Sequence, residues 1–384
     1  MPLGPCDHQS PSPETGRRKL SRRGLIGGAA AASLAGAGLT TVGSSATAHA
    51  ASDPVVIDGL TITRIKDLTG PRITGRFGVH WTDLGIPGRC PDGRTFYVFG
   101  DTFGPTWGEN WRSPVGLWSR TTDVEKGVRF SGTPGRRWAR QLIPYEHDEN
   151  NISTIIPSDV ITLGDTMYLH AVVNRGFGNV IWSGIWTSQD NGDTWQDSGA
   201  RFPADKYGGR WQLAAWDLGD DGWVYVLTSK FLRVTTPILH RVRPEDITHP
   251  DAYIPWGPDA DGVWGWGNDA EPVLDRITGE ASLKQLGDRW LLTWFSPEGY
   301  SIEAQVLDHP TDITETKIIT LLKGVNWGEE SNVAEIPQLY GSYVIPGSTL
   351  ADTHLTVSQW NTGDNSIYHV MQYRIQGLDQ HEAD

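Results

Sequence analysis

Cysteine is scarce in this sequence, and its scarcity excludes a fold built on disulfides. The 384 residues contain two cysteines, Cys6 and Cys90. Cys6 lies in a segment that we expect to be removed on export, which leaves Cys90 without an intrachain partner. A chain of this length buries a large core without covalent cross-links. Packing and hydrogen bonds are therefore expected to hold the fold.

Long apolar runs are also lacking, except within the first 50 residues. Arg22 and Arg23 precede an uncharged stretch rich in Ala and Gly that ends at Ala48-His49-Ala50, an A-x-A-type cleavage site. This arrangement predicts a twin-arginine export signal over residues 1–50 and a secreted product without a membrane anchor. The alternative is a transmembrane anchor, which the small residues and the terminal Ser and Thr disfavour.

Positive charge is in short supply. The chain has 32 Lys and Arg against 46 Asp and Glu, a net charge of −14. Without residues 1–50, 27 basic residues face 44 acidic ones, a net charge of −17. Such an acidic surface argues against a nucleic-acid partner. We expect the exported chain to act as a monomer.

Metal-ligand patterns are poorly represented. No His and Cys set stands at the spacing of a zinc site. The stretch Asp259-Ala260-Asp261-Gly262 lacks the spacing and the closing Glu of an EF-hand calcium loop, so we predict a polar loop there. No metal and no other cofactor is expected.

Tryptophan and glycine are abundant, with 18 and 45 residues, and helical periodicity is almost absent. A turn glycine followed by an aromatic or apolar strand recurs five times, at spacings of 54 to 71 residues. A second β-rich run follows each of these strands after a short loop. The predicted turn glycines are Gly93, Gly164, Gly222, Gly287 and Gly341.

Five units of similar length, each supplying three or four antiparallel strands, predict a five-bladed β-propeller over residues 51–384. A jelly-roll sandwich would also have short strands, but not five units of the same internal order. Ser188–Trp195 reads S-x-D-x-G-x-T-W and resembles the Asp box of sialidase-type propellers. In those proteins it is a turn between outer strands, so we interpret Asp190 as structural.

Two aspartates flank the first predicted hairpin. The stretch YVFGDTFG, from Tyr97, ends a strand-forming run on Asp101. Folding the hairpin about Asp92 places Asp83 opposite Asp101, with Cβ atoms about 4.5–5.5 Å apart. A strict two-residue turn would send the side chains to opposite faces, so a common face requires a bulge. Because facing like charges are destabilising, the pair favours chemistry over the alternative of a turn cap and a strand end.

Other acids are predicted to lie near the start of an inner strand, at the same mouth of the channel. Glu280 lies seven residues before Gly287, and Asp159 lies five before Gly164. Glu303 and Glu335 are weaker candidates. A group of carboxyls in a narrow channel separates their pKa values, which equips a site for glycosidic cleavage. The candidate catalytic residues are Asp83, Asp101, Glu280 and Asp159.

Aromatic residues near these acids are candidates for substrate contact, because indole faces stack on sugar rings. Packing between blades is the alternative for each, and we expect two or three of the six tryptophans to contact ligand. His80, on the first inner strand, is expected to help position substrate. The candidates are His80, Trp81, Trp107, Trp111, Trp216, Trp264 and Trp266.

The motifs WTDLG at Trp81 and YVFGDTF at Tyr97 occur with a later Ser-Asp strand, the Asp box and Gly279-Glu280-Ala281-Ser282. Over about residues 60–375 the chain resembles a bacterial family formerly described as a domain of unknown function, whose members include endo-D-arabinanases (glycoside hydrolase family 183). The resemblance implies a five-bladed propeller that cleaves internal α-D-arabinofuranosyl linkages of cell-wall arabinan or arabinogalactan. It also implies that Asp83 and Asp101 are essential. Glu280 stands in GEAS where GELS is expected, and Asp159 is the alternative acid.

Two other functions stay open at this point. A sialidase-like exo-glycosidase needs three arginines around a carboxylate, and the predicted inner strands of blades two to five carry no clear arginine. A non-catalytic carbohydrate-binding propeller would keep the aromatic residues but has no need of facing acids. Release of products from arabinan, with Asp101→Asn as the control, distinguishes binding from hydrolysis.

Overall fold

The computed structural model describes residues 52–381, whose strands form five mainly antiparallel sheets. The predicted export signal lies outside the described residues. Within them, no helix is long and apolar enough to cross a membrane. Between the strands lie short 3₁₀ helices at Gly75–Phe77, Val124–Lys126, Lys206–Gly209, Pro244–Asp246, Pro310–Thr314 and Leu378–Gln380.

Each sheet is one blade, and the chain visits the blades in order. The first two strands, β1 (Val55–Ile57) and β2 (Leu60–Asp67), belong to the fifth blade. Blade 1 consists of β3 (Leu84–Arg89), β4 (Thr95–Phe99), β5 (Val115–Ser119) and β6 (Phe130–Gly132). Blade 2 consists of β7 (Thr154–Leu163), β8 (Thr166–Asn174), β9 (Val180–Ser188) and β10 (Gln196–Pro203).

The remaining blades have five strands each. Blade 3 consists of β11 (Leu213–Leu218), β12 (Val224–Ser229), β13 (Ile238–Val242), β14 (Ile254–Pro258) and β15 (Trp264–Trp266). Blade 4 consists of β16 (Ala281–Leu286), β17 (Arg289–Ser296), β18 (Ser301–Leu307), β19 (Ile319–Val325) and β20 (Glu335–Pro337), and β20 pairs parallel to β19. Blade 5 joins β21 (Leu339–Val344), β22 (Asp352–Trp360) and β23 (Tyr368–Gln376) to β1 and β2.

The innermost strands β3, β7, β11, β16 and β21 form a ring, because each contacts the next and β21 contacts β3. The ring closes through β2, which pairs with β23 and so joins the two ends of the described chain in one sheet. The predicted five-bladed propeller is confirmed, and this circular order excludes the jelly-roll alternative.

Four of the five predicted turn glycines form the inner hairpins. Gly93, Gly164, Gly222 and Gly287 have φ angles between 58° and 84°, a left-handed backbone that glycine adopts without strain. The fifth prediction is wrong. Gly341 lies inside β21 at a register shift between Tyr340 and Ser342, and the turn follows at Gly347. Sequence spacing cannot separate a bulge glycine from a turn glycine, because both require a positive φ.

Apolar side chains fill the spaces between neighbouring blades. Phe202 of blade 2 packs against Trp211, before the inner strand of blade 3, with ring centroids 5.1 Å apart. Trp216 of that strand belongs to the same buried cluster and is 1 % exposed. Full burial of one large apolar side chain stabilises a fold by about 1.5–3 kcal/mol. Packing between blades thus holds the inner strands around the channel.

Candidate active site

The starts of the inner strands meet at one mouth of the channel. Asp83 lies immediately before β3, Thr154 begins β7, Glu280 lies immediately before β16, and Tyr340 is the second residue of β21. The electrostatic neighbours of Asp83 include both Asp101 and Glu280. Three of the four predicted acids therefore lie together.

A bulge decides how the first two acids are placed. From Ile86 to Arg89, the β3–β4 pairing is the predicted one, with Ile86 opposite Val98. The register then shifts at Gly85, whose φ is 71°, so that Leu84 faces Phe99. The amide of Gly100, not that of Asp101, donates to the carbonyl oxygen of Asp83. The predicted direct pairing of the two aspartates is thus off by one residue, because the bulge absorbs one position.

The carboxyl group of Asp83 is enclosed by aromatic hydroxyls and glycine. The Tyr340 hydroxyl donates to its Oδ2 at 2.9 Å, and the Tyr368 hydroxyl also hydrogen-bonds to this side chain. Oδ1 is buried and has no hydrogen-bond partner within residues 52–381. A Cβ atom on Gly100 would lie 2.5 Å from Oδ1, so only glycine fits there in the GDTF motif. Oδ1 is therefore held close to the Gly100 backbone.

Burial and neighbouring charge raise the pKa of Asp83 to about 7. Burial is the largest cause, followed by the negative charge of Asp101, while the hydrogen bonds from Tyr368 and Tyr340 lower the pKa. Near neutral pH this carboxyl group therefore exchanges a proton readily, as a general acid or base requires.

Asp101 is positioned by residues of two blades. Its Oδ1 accepts hydrogen bonds from the Trp111 indole N–H at 2.6 Å and from the Thr154 hydroxyl at 2.9 Å. Trp111 in turn stacks on His147, with ring centroids 3.7 Å apart. The predicted substrate contact Trp111 therefore orients a carboxylate, a role that its place in the sequence did not indicate.

Glu280 is paired with an arginine that sequence analysis missed. Arg233 donates to Oε1 of Glu280 through Nε at 3.1 Å and Nη2 at 2.6 Å. Its guanidinium also lies over the rings of Phe295 and Tyr340, at 4.9 and 5.2 Å. Arg233 comes from the loop between β12 and β13 and has a φ of 58°. No strand pattern marks such a residue, because its direction depends on the loop backbone.

Asp159 is not among the charges that act on Asp83, and its burial and its contacts argue against the predicted catalytic role. It is 1 % exposed, and its Oδ2 is 3.1 Å from Nζ of Lys284. The amides of Val160 and Trp216 also donate to its carboxylate. Burial raises the pKa of Asp159, and Lys284 opposes this rise. Its hydrogen bonds and its ion pair connect blades 2, 3 and 4 inside the channel, which is a structural role.

An aromatic wall borders the site on the blade 5 side. Trp107 is its centre, with ring centroids 6.0 Å from Trp81, 6.0 Å from Trp360 and 5.2 Å from Tyr368. Tyr368 hydrogen-bonds to Asp83, so the wall reaches the acids. Trp81 and Trp107 are partly exposed and remain candidates for substrate contact. Trp360 and Tyr368 were not predicted, because their contact with the first blade depends on closure of the ring.

The other predicted contacts lie elsewhere. Trp216 is 1 % exposed in the core between blades 2 and 3, so its assignment to a subsite is wrong. Trp264 and Trp266 form β15, the outermost strand of blade 3, and the predicted contact between Trp266 and substrate at the channel mouth is also wrong. His80 lies with its ring against Gly75, and burial lowers its pKa. The groups that act on its pKa are the Gly78 backbone and Arg112.

The two weaker acid candidates are both on blade 4. Glu335 begins the outermost strand β20, away from the channel. Glu303 is buried on β18 and accepts a hydrogen bond from the Ser301 hydroxyl at 3.0 Å. Neither is among the electrostatic neighbours of Asp83.

The Asp box is structural, as the sequence predicted. It connects β9 to β10, and Asp190 accepts hydrogen bonds from Ser188 and from the Thr194 amide, both at 2.8 Å. Asn191 at its tip accepts from the indole N–H of Trp118 and from the amide of Asp92 in blade 1. The motif therefore links two blades.

Possible metal ligands do not cluster in residues 52–381, where no three His, Cys, Asp or Glu side chains are grouped to hold an ion. Asp259 accepts from the amides of Asp261 and Val263, so it caps the turn between β14 and β15.

The mouth of the channel offers carboxyl groups, tyrosine hydroxyls, the guanidinium of Arg233 and an aromatic wall. Such a set suits proton transfer at a neutral, hydroxyl-rich ligand.

Solved structures resemble this fold at low sequence identity. A candidate hydrolase from Bacteroides ovatus superposes with a TM-score of 0.60 at 13% identity, covering 84% of this chain and 92% of the other. The β-xylosidase RS223 superposes with a TM-score of 0.50 at 9% identity, covering 79% and 93%. At these identities the likeness concerns the fold.

Two relatives match most of the sequence. An uncharacterized 35.9 kDa protein of the asd 3′ region of Mycolicibacterium smegmatis is 26% identical over 327 residues, covering 79% of this chain and 95% of that protein. The notoamide biosynthesis cluster protein J′ of Aspergillus versicolor is 29% identical over 315 residues, covering 75% and 83%. The family model of the domain of unknown function DUF4185 matches residues 69–374, and the chain belongs to this family.

Proposed function

We propose that the protein is an exported glycoside hydrolase that cleaves internal α-D-arabinofuranosyl linkages in arabinan or arabinogalactan. The observation that carries the proposal is the meeting of Asp83, Asp101 and Glu280 at one mouth, with the pKa of Asp83 raised to about 7. Glycosidic cleavage needs one carboxyl group that is protonated and one that is ionised on either side of the bond. The resemblance of the WTDLG and FGDTF motifs to those of endo-D-arabinanases supports the choice of substrate.

In the proposed reaction, Asp83 is the general acid. Its proton passes to the glycosidic oxygen as the bond between that oxygen and the anomeric carbon breaks. Asp101 or Glu280 then acts as the ionised partner. In the first course, this carboxylate takes a proton from the water that attacks the anomeric carbon. In the second course, it bonds to the anomeric carbon, and water then hydrolyses the covalent intermediate. A separation of about 5–5.5 Å between the acting carboxyl groups favours the second course, and about 6.5–9.5 Å the first.

The test measures the products that the purified protein releases from D-arabinan, arabinogalactan and other bacterial or plant glycans. We expect a ladder of oligosaccharides from D-arabinan. Asp83→Asn, Asp101→Asn and Glu280→Gln should each lose at least about 100-fold in rate, because each removes a positioned proton donor, base or nucleophile. Circular dichroism establishes that each variant remains folded.

Asp165→Asn is the matched control, because Asp165 is exposed in the turn between β7 and β8, at the far end of the inner strand. It should leave the rate unchanged. Near-normal activity of Asp83→Asn would remove that residue from the mechanism. Binding of arabinan without any product would instead support a non-catalytic carbohydrate-binding propeller.

A further inference from the structure

A small cavity lies beside Glu280 and is lined mainly by residues of blades 3 and 4. Its walls come from β11, β12 and the segment before β16, with Ser158 of β7 and Tyr343 of β21 at its sides. Small side chains, among them Ala214, Ala215 and Gly279, leave the space open. Its volume is about 10 Å³, which is room for one water molecule.

Three polar atoms belonging to the residues around this cavity lack a partner. Oγ1 of Thr228 and Oγ1 of Thr278 are buried without a hydrogen bond to any residue in 52–381, and each threonine is 1 % exposed. Oε2 of Glu280 is likewise buried and unpaired, whereas Oε1 is held by Arg233. Buried polar groups nearly always have a partner, and an unpaired one costs about 1–3 kcal/mol. Three such atoms around one small cavity indicate a shared partner.

We propose that this cavity is a binding site for a single water molecule that bridges Oε2 of Glu280 to the hydroxyls of Thr228 and Thr278. A buried water typically makes two to four hydrogen bonds, and the three atoms fall within that range. Water can donate to the carboxylate oxygen while it exchanges hydrogen bonds with two hydroxyl groups, which both donate and accept.

The bridge would hold Glu280 from the side opposite to Arg233. Rotation of the carboxylate about its last side-chain bond would break a hydrogen bond at each oxygen, so the group keeps one orientation at the mouth. Thr228 and Thr278 are then positioning residues that act through Glu280 and touch no substrate. This consequence for catalysis rests on the proposed function, whereas the water site itself does not.

The first test is a crystal structure of the protein at a resolution that shows ordered water. We expect a density peak within hydrogen-bond distance of Glu280 Oε2 and of both threonine hydroxyls. It should disappear in the double variant Thr228→Val/Thr278→Val, which keeps the side-chain shape. A dry cavity in the wild-type protein would overturn the proposal. So would a peak with cation-like contacts of about 2.3–2.6 Å to six or more oxygens.

The second test is kinetic and uses D-arabinan. Thr228→Val and Thr278→Val should each lower kcat about tenfold with KM unchanged, because each removes one hydrogen bond that orients a charged group. Thr228→Ser and Thr278→Ser retain a hydroxyl and should recover most of that loss. Valine variants with wild-type kcat, or serine variants as impaired as the valine ones, would contradict the positioning role. If the wild type releases no product, the proposed function fails, and the crystallographic test still decides the water site.

Discussion

At the scale of single residues, the chemistry of the mouth depends on how differently the acids are solvated. Asp83 is buried beside other negative charges, which raises its pKa to about 7 against the lowering effect of two tyrosine hydrogen bonds. Asp101 is instead held by Trp111 and Thr154, and Glu280 by Arg233. Carboxyl groups with distinct surroundings can divide the roles of proton donor and ionised partner.

The Tyr340 hydroxyl gives a test of this assignment. Its hydrogen bond lowers the pKa of Asp83, so Tyr340→Phe should raise that pKa further. If Asp83 is the general acid, it then stays protonated to higher pH. The alkaline limb of the kcat/KM profile should therefore move upward, by about half a unit to one unit. The profile is measured on D-arabinan between pH 4 and 10.

Tyr97→Phe is the matched control, because Tyr97 is buried on β4 and is not among the groups that act on Asp83. It should leave the profile in place. An upward shift of the acidic limb in Tyr340→Phe would instead assign Asp83 the role of base or nucleophile.

The aromatic wall makes a second prediction at this scale. Trp107 touches Trp81, Trp360 and Tyr368 beside the acids, whereas Trp266 lies on the outer edge of blade 3. Loss of an aromatic face for sugar stacking should raise KM roughly three- to tenfold in Trp107→Ala. Trp266→Ala should leave KM unchanged. Equal effects of both variants would show that the wall does not bind substrate.

At the scale of elements, one bulge and one loop build the site from ordinary blades. The bulge at Leu84–Gly85 turns Asp83 toward the tyrosines, and the loop between β12 and β13 brings Arg233 to Glu280. Hairpins alone would supply neither contact, because a regular strand alternates its side chains with a fixed period of two.

The inner strands are tied together below the mouth by Lys284. Its Nζ lies 3.1 Å from the carboxylate of Asp159 and 2.8 Å from the carbonyl oxygen of Trp216. It also opposes the rise that burial causes in the pKa of Asp159 and Asp217. A single cation from blade 4 thereby compensates acids of blades 2 and 3.

Lys284→Met should therefore destabilise the fold. At pH 8 we expect the free energy of unfolding to fall by about 3–5 kcal/mol, because Asp159 loses its counter-charge. The loss should be smaller at pH 5. Without the lysine, the pKa of folded Asp159 is raised further above its unfolded value, and such a group costs stability as pH rises. Urea unfolding at both pH values measures the difference.

Asp159→Asn in the Lys284→Met background should restore part of the stability at pH 8, because it removes the unpaired charge. Equal losses at pH 5 and pH 8 would mean that the pair contributes by packing alone.

At the scale of the whole molecule, the propeller depends on closure of its ring. Blade 5 takes β1 and β2 from the start of the described chain and β21, β22 and β23 from its end. β2 joins the two parts through its pairing with β23. Without β2, a long hydrogen-bonding edge of β23 would be exposed, and exposed edges favour aggregation.

Removal of residues 52–67 should therefore open the ring. We expect Tm to fall by about 10 °C or more, or the protein to aggregate, in a thermal melt followed by circular dichroism. Removal of residues 52–58 is the control, because it deletes the edge strand β1 and keeps β2. A change confined to a few degrees in the longer deletion would show that packing between blades closes the ring unaided.

Much of this architecture follows from sequence patterns that act locally. Turn glycines at Gly93, Gly164, Gly222 and Gly287 and the strands that follow them define four blades, because turn conformation and period-two burial involve neighbouring residues. The failure at Gly341 has the same origin. A bulge and a turn both require a positive φ at one residue, and only the pairing with the partner strand distinguishes them.

By itself, the sequence determined the five-bladed ring, the structural Asp box and the proximity of Asp83 and Asp101, since each depends on one hairpin or one repeated unit. Only the tertiary structure decided that Lys284 neutralises Asp159, that Arg233 holds Glu280, and that Trp216 and Trp266 are remote from the mouth. The physical reason is that both ion pairs join different blades, and that the position of each tryptophan depends on the strand order of the blades. Sheet register directs the side chains of Asp159 and Lys284, because a shift of one residue reverses the direction of a side chain, whereas the loop backbone directs Arg233.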